Sequence, residues 1–279
     1  MKHNHDKVEK DAFIVIQPVI CYNKKYKIGG EVKMTYNAFL FPEAILDTPR
    51  LFTAVAEWLA VFVYFNICRR RVDQKRYIVY CILSATSMIL FQFIAGILPI
   101  VFWFPMMMGA VGLMYAFLYL VLDVMPKDCG VITVHAFVLA EFSASVYRQF
   151  YVWGCNVISA DTFLYSAITM TVMYTIVYTV YYRVEKANIH PEIPLNINAH
   201  ELFLVLLTGI GAFIMGNISF VWTETPISAG GSLLYVRTLV DFAGMLMLMT
   251  QMGRRNELAI KTENDEINRL FKKQYEQYR

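Results

Sequence analysis

Charged side chains are scarce in this sequence, and one long stretch contains none. Only 17% of the 279 residues are Asp, Glu, Lys or Arg, whereas 57% are hydrophobic and the mean hydropathy is +0.45. Soluble domains carry about 25% charged residues, so the composition excludes a water-soluble globule. We expect an integral membrane protein whose first partner is the lipid bilayer and which binds no nucleic acid.

Cysteine and histidine are too few and too dispersed for a metal or redox site. The five cysteines form no CxxC pair and have no His at ligand spacing, so we predict neither a metal nor a cofactor. A convincing secretory signal is also lacking, since Lys24 and Lys25 follow a short apolar run without a small-residue cleavage site. Residues 1–33 share no pattern with the rest of the chain, which makes Met34 an alternative initiator.

Seven long apolar stretches separated by short polar loops lie between Arg50 and Met252. A helix needs about 20 apolar residues to cross a hydrocarbon core about 30 Å thick. The uncharged run 77–122 would be about 70 Å long as one helix, so we place a break near Gly96 to Pro99 and a kink at Pro105. The predicted spans are 51–68, two spans within 77–122, and 131–153, 162–182, 202–222 and 233–252.

The distribution of Lys and Arg predicts how the bundle is oriented. Basic residues cluster within 69–76 and recur at Lys127, Arg183, Lys186, Arg254 and Arg255, whereas the alternate connections after the first span carry none. By the positive-inside rule the N-terminus lies outside and the C-terminus in the cytoplasm of a multi-pass plasma-membrane protein, although Arg50 and 24–33 oppose the trend. This divides the chain into an extracytoplasmic segment 1–49, a seven-helix membrane domain 50–252 and a cytoplasmic helix 253–279.

Five charged residues fall within the predicted spans, namely Glu57, Glu141, Arg148, Arg237 and Asp241. Each costs at least about 2.5 kcal/mol near a helix centre, which makes each a candidate ligand-binding or network residue. Arg237 and Asp241 are four apart and can pair, whereas Glu141 and Arg148 need partners on other helices. A network that joins Glu57 to Arg148 or to Arg237 would form either a polar pocket open to the outside or buried structural salt bridges.

The residues after the last span become mostly polar and follow a heptad pattern. The seam consists of Ile260, Asn264, Ile267, Phe271 and Tyr278, with Glu257 and Gln274 at the remaining positions. Polar residues within a seam predict a modestly stable dimer in a set register. A solvated helix lying on the membrane surface is the alternative.

The bundle, the double-basic exit at 253–255 and the helix INRLFKKQYEQYR resemble the sensor portion of GHKL-type bacterial histidine kinases, which include the quorum-sensing peptide receptor kinases. The resemblance implies a receptor of a two-component system that senses an extracellular ligand such as a peptide. It also implies a homodimer, or a heterodimer with a kinase, formed through the terminal helix. In that family the helix continues into a phosphoacceptor His and an ATP-binding domain.

This chain departs from the family at its terminal helix. None of its five histidines lies on that helix and no Gly-rich nucleotide motif follows, so we expect no enzyme activity from these residues. The chain is either a receptor-only partner or one piece of a longer kinase.

Two other functions stay open. A small-solute or proton-coupled transporter would use Glu141 and His135, although the spans show no internal repeat of the kind common in transporters. A structural or assembly protein would use its polar residues only to hold the bundle together. A lone intramembrane His such as His135 is more often a packing residue than a proton relay.

Overall fold

The part of the chain that the structure describes is helical apart from short connections. The computed structural model describes residues 48–98, 102–158, 163–189, 197–222 and 231–278. These residues form α1 (Arg50–Ile67), α2 (Gln74–Ile97), α3 (Trp103–Val121), α4 (Pro126–Ile158), α5 (Phe163–Asn188), α6 (Ala199–Trp222) and α7 (Gly231–Gln277). The all-α fold is therefore confirmed for these residues, whereas the predictions for 1–47 and for an initiator at Met34 lie outside them.

Within the described ranges, six helices, α1 to α6, are long and apolar enough to cross a membrane. Their outward faces are apolar: on α2, for example, Ile78, Ile82 and Leu90 are each more than half exposed. A soluble protein rarely leaves such faces uncovered, so the fold is consistent with a multi-pass membrane protein. The helix α7 is not among the six, and its first part carries both Arg237 and Asp241.

The predicted break in the long uncharged run is confirmed, because α2 ends at Ile97 and α3 begins at Trp103. Pro105 lies in the first turn of α3. A proline there removes no intrahelical hydrogen bond. Pro105 therefore marks the start of α3 rather than the kink that the sequence predicted. Other boundaries are shifted outward: α4 begins at Pro126 rather than at 131, and α5 continues to Asn188 rather than ending at 182.

The helix α4 forms the centre of the bundle. It packs against α1, α3, α5, α6 and α7, and every residue from Val131 to Ala140 is buried. Of the six membrane-length segments, those of α4 and α1 are 83% and 56% buried, whereas the other four are 17–33% buried. On these two helices most side chains therefore contact other helices of the bundle rather than lipid.

The connections that carry Lys and Arg meet at one end of the bundle. Arg69 Nε and Arg71 Nε lie 3.6 and 3.8 Å from the carboxylate oxygens of Asp123, which joins the α1–α2 loop to the α3–α4 loop. Arg255 Nη1 lies 3.3 Å from Glu201 Oε1, which joins α7 to the start of α6. We call this end of the molecule the basic end.

Close approach between α6 and its neighbours depends on small residues. A Cβ added at Gly209 would lie 2.5 Å from a methyl carbon of Val134 on α4, which is shorter than any ordinary contact. A Cβ at Gly244 on α7 would lie 3.0 Å from the Cβ of Ala212. Small residues at helix interfaces allow backbones to approach closely within a bilayer. These glycines therefore fix α6 against both α4 and α7.

The helix α7 runs for 47 residues without a break, which corresponds to about 70 Å at 1.5 Å per residue. Its first part packs against α4 and α6, and Met245, Leu248 and Met252 are buried there. From Lys261 to Tyr278 every residue is exposed. The predicted boundary between 252 and 253 thus falls inside one continuous helix that leaves the bundle.

Candidate functional site

Three of the predicted intramembrane charges meet between α4 and α7. Arg237 Nη2 donates a hydrogen bond of 3.1 Å to Glu141 Oε2, and Arg237 Nε lies 3.9 Å from Asp241 Oδ2. The hydroxyl of Ser145 donates to that same oxygen of Asp241. The side chains of Arg237 and Glu141 are 12% exposed and that of Asp241 is 4% exposed. One guanidinium therefore faces two carboxylates in a poorly hydrated position. We call these four residues the Arg237 cluster.

The other two predicted charges lie on the two most buried helices. Glu57 on α1 is 2% exposed and accepts a hydrogen bond of 2.6 Å from Gln92 Nε2 on α2. Arg148 on α4 is 4% exposed, about one turn beyond Ser145 of the Arg237 cluster. Sequence reasoning missed Gln92 because a neutral amide in an apolar run carries no charge signal.

A further contact continues the Arg237 cluster along the same interface. Thr238 Oγ1 donates a hydrogen bond of 3.0 Å to Gln149 Oε1, again from α7 to α4. Hydrogen bonds between helices in a bilayer contribute about 1 kcal/mol each. These contacts hold α7 in one position against α4, so any shift of α7 along or about its axis must change them.

A second polar cluster lies nearer the basic end, and we call its residues Tyr64, His135, Tyr181 and Glu185 the His135 cluster. Glu185 is completely buried and accepts a hydrogen bond of 3.2 Å from the hydroxyl of Tyr64. That hydroxyl also lies 2.6 Å from the hydroxyl of Tyr181. His135 Nδ1 lies 3.7 Å from Glu185 Oε1, and the His135 side chain is 1% exposed. A buried acid and an imidazole therefore face each other inside the bundle.

Sequence reasoning missed Glu185 because it ended the fifth span at 182, three residues before this acid. A signal was present, however. The positions 174, 178, 181 and 185 are spaced by four, three and four residues, which is the spacing of one helix face. In the structure all four of these side chains are buried. The charged residue thus continues the buried tyrosine face of α5.

That tyrosine face fastens α5 to α1. The hydroxyl of Tyr174 donates a hydrogen bond of 3.1 Å to the carbonyl of Phe52, and that of Tyr178 donates one of 2.6 Å to the carbonyl of Ala56. Buried tyrosines usually find such partners, since an unpaired hydroxyl is costly away from water. The two bonds fix the register between α1 and α5.

Two cavities lie beside these clusters. One, of about 560 Å³, is a groove between α1 and α5 lined by tyrosines, threonines and apolar side chains. The other, of about 220 Å³, lies at the basic end between α4, α6 and α7, and His135 forms part of its wall.

Among the described residues, no group of three or more His, Cys, Asp or Glu side chains lies close enough to hold a metal ion.

Comparisons with known proteins add no assignment. No protein-family model, no curated protein and no solved structure matches this chain. The resemblance to sensor kinases therefore stays a prediction from the sequence.

Proposed function

We propose that this chain is the membrane sensor module of a two-component signalling system, which responds to an extracellular ligand such as a peptide. The observation that carries the proposal is the continuity of α7. This helix contains Arg237 and Asp241 of the buried Arg237 cluster and runs without interruption to an exposed end, where every residue from Lys261 to Tyr278 is uncovered. A change at the cluster would reach that end through a rigid element.

We also propose the orientation of the bundle. The first part of α7 would be a seventh span, with the N-terminus outside and the C-terminus in the cytoplasm. The gathering of Lys- and Arg-bearing connections at the basic end supports this, because basic residues are enriched on the cytoplasmic side of membrane proteins. The Arg237 cluster would then lie toward the outer side and the exposed end of α7 in the cytoplasm.

A ligand transmits a signal only if it binds one arrangement of the bundle more tightly than another. Arg237 divides its interactions between Glu141 on α4 and Asp241 on its own helix, at 3.1 and 3.9 Å. A ligand carboxylate that competed for the guanidinium would weaken the bond between α7 and α4. The proposed signal is the resulting shift or rotation of α7.

The exposed end of α7 carries an apolar stripe that suits a partner helix. Ile267, Phe271 and Tyr278 are 42%, 65% and 92% exposed, and they follow Ile260 at heptad spacing. Apolar seams of this kind are covered by a second helix in a coiled coil. The proposed partner is the same helix of a second copy, or the matching helix of a kinase.

Cysteine cross-linking tests the dimer. In a background without the native cysteines, Phe271→Cys should form a disulfide-linked dimer in membranes. Arg269→Cys, two residues away and on the opposite face of the same exposed helix, is the matched control and should remain monomeric. Equal cross-linking of the two variants, or none in either, would contradict a seam at Phe271.

A chimera tests signal transmission. Residues 34–278 would be fused, in heptad register, to the phosphoacceptor and ATP-binding domains of a GHKL kinase. We expect Arg237→Gln to change autophosphorylation of the chimera by several-fold, because it breaks the contact between α7 and α4. Lys261→Gln, a charge removed from an exposed position on the same helix, should leave the rate unchanged. Equal rates for all three proteins would refute transmission from the cluster.

A proton-coupled transporter is the second candidate, and the observation in its favour is the buried His135 and Glu185 pair, 3.7 Å apart. Intramembrane acids and histidines often serve proton relays. In proteoliposomes that contain a pH-sensitive dye, a transporter would acidify or alkalise the lumen, and Glu185→Gln would abolish that flux. A sensor would give no flux in either protein.

A further inference from the structure

The cavity of about 220 Å³ at the basic end lies where α4, α6 and α7 meet. Most of its wall is apolar and comes from side chains such as Val131, Val205 and Met252. Val131 is within the first two turns of α4, and Val205 is equally close to the start of α6. The cavity therefore lies at the boundary between the apolar part of the bundle and its basic end.

Polar groups are gathered on one side of this cavity. Arg254 and Arg255 both line it, Arg255 pairs with Glu201 at 3.3 Å, and Arg254 is exposed. Two guanidinium groups and one carboxylate leave a surplus of one positive charge. Gln251 also lines the cavity, and its Oε1 is buried without a hydrogen-bond partner among the described residues. A buried amide oxygen without a partner is unfavourable, so a ligand that donates a hydrogen bond to it would be stabilised.

Water alone fits this arrangement poorly. A cavity of about 220 Å³ has room for several waters, but a mostly apolar wall offers them few hydrogen-bond partners. The combination of an apolar interior with a surplus cation at the membrane boundary suits an amphiphile with one negative charge. Basic pockets between helices on the cytoplasmic side bind anionic lipid head groups.

We propose that this cavity is a binding site for an anionic phospholipid with a glycerol head group. Its phosphodiester, which carries one negative charge, lies against Arg254 and Arg255, and a head-group hydroxyl donates to Gln251. The first part of one acyl chain enters beside Val205, while the remainder of the lipid stays in the bilayer. The proposal rests on the volume, lining and charge of the cavity, and it does not depend on the proposed signalling function.

Lipid binding to the delipidated full chain tests the proposal. Native mass spectrometry would follow retention of phosphatidylglycerol and of phosphatidylcholine as each is added. We expect phosphatidylglycerol to bind at least tenfold more tightly. The double variant Arg254→Gln, Arg255→Gln should lose that preference. The double variant Lys272→Gln, Lys273→Gln removes the same charge from the exposed part of the same helix and should keep it.

A second variant separates the cavity from general charge attraction. Val205→Phe places a larger side chain in the apolar wall without a change in charge, and it should weaken phosphatidylglycerol binding several-fold. Should Val205→Phe fail to fold, Gln251→Leu gives the same test from the polar side. Inorganic phosphate and glycerol phosphate serve as competitors. Equal binding of the two lipids, equal loss in the Lys272 and Lys273 control, or displacement by a free phosphate at matching concentration would each overturn the proposal.

Discussion

Removal of Arg237 should destabilise the bundle far more than removal of any exposed basic residue. Its 3.1 Å contact with Glu141 has a Coulomb energy of about 5 kcal/mol at an effective dielectric constant of about 20. At the same dielectric constant, its 3.9 Å contact with Asp241 has a Coulomb energy of about 4 kcal/mol. Desolvation of the charges offsets much of this, but loss of one partner leaves buried carboxylates. We expect Arg237→Gln to lower the free energy of unfolding by about 3–5 kcal/mol.

The pair formed by Arg255 and Glu201 is a matched control, because it joins the same residue types at 3.3 Å but its side chains are 29% and 35% exposed. In water the Coulomb energy at that distance is about 1 kcal/mol before side-chain entropy is subtracted. Measured exposed pairs contribute about 0–1 kcal/mol. Arg255→Gln should therefore lower the free energy of unfolding by less than about 1 kcal/mol.

Unfolding of both variants would be followed by tryptophan fluorescence in a zwitterionic detergent free of anionic lipid. The double variant Glu141→Gln, Arg237→Gln completes a thermodynamic cycle and should cost at least about 2 kcal/mol less than the sum of the two single variants. Equal costs for Arg237→Gln and Arg255→Gln, or an additive double variant, would refute the reasoning that burial strengthens the Arg237 cluster.

Further predictions concern packing and the tyrosine face of α5. Gly209→Ala should lower stability by about 1–3 kcal/mol, since its Cβ would lie 2.5 Å from a buried methyl of α4; Gly211→Ala, with open space around its Cβ, should be neutral or stabilising. Chemical denaturation of both proteins in detergent checks the difference. Tyr178→Phe removes the 2.6 Å bond to the Ala56 carbonyl and should cost about 1 kcal/mol, whereas Tyr182→Phe, which loses only an exposed contact, should cost almost nothing.

Features that depend on local backbone chemistry were predictable from the sequence. The break between α2 and α3 follows from Gly96 and Pro99 in a run too long for one span, and the helical terminal segment follows from its heptad pattern. The candidate charges were predictable too, because an ionised side chain in an apolar run is conspicuous. The structure places Arg237 on α7 beside Glu141 on α4, although the two residues are 96 positions apart in the chain.

Features that depend on tertiary contacts were not predictable in the same way. Gln92 binds Glu57 from another helix, and neither its type nor its spacing marks it out. The burial of Glu185 was not predictable, because it lies between the basic residues Arg183 and Lys186 in the sequence. A local sequence window cannot distinguish a buried carboxylate at a helix end from a solvated one. Glu185 is buried because α5 continues past the apolar run and places this carboxylate against Tyr64.

Because α7 is one continuous helix, the position of Arg237 determines the direction in which the exposed apolar stripe faces around the helix axis. Each residue turns a helix by about 100°, so one residue inserted after Gly253 would move Phe271 about a quarter of a turn around the axis. Seven inserted residues complete two turns to within about 20° and would restore the original direction. A rotation of α7 at one end therefore rotates the other end by the same angle. The direction in which Phe271 faces is set by the residues that Arg237 contacts.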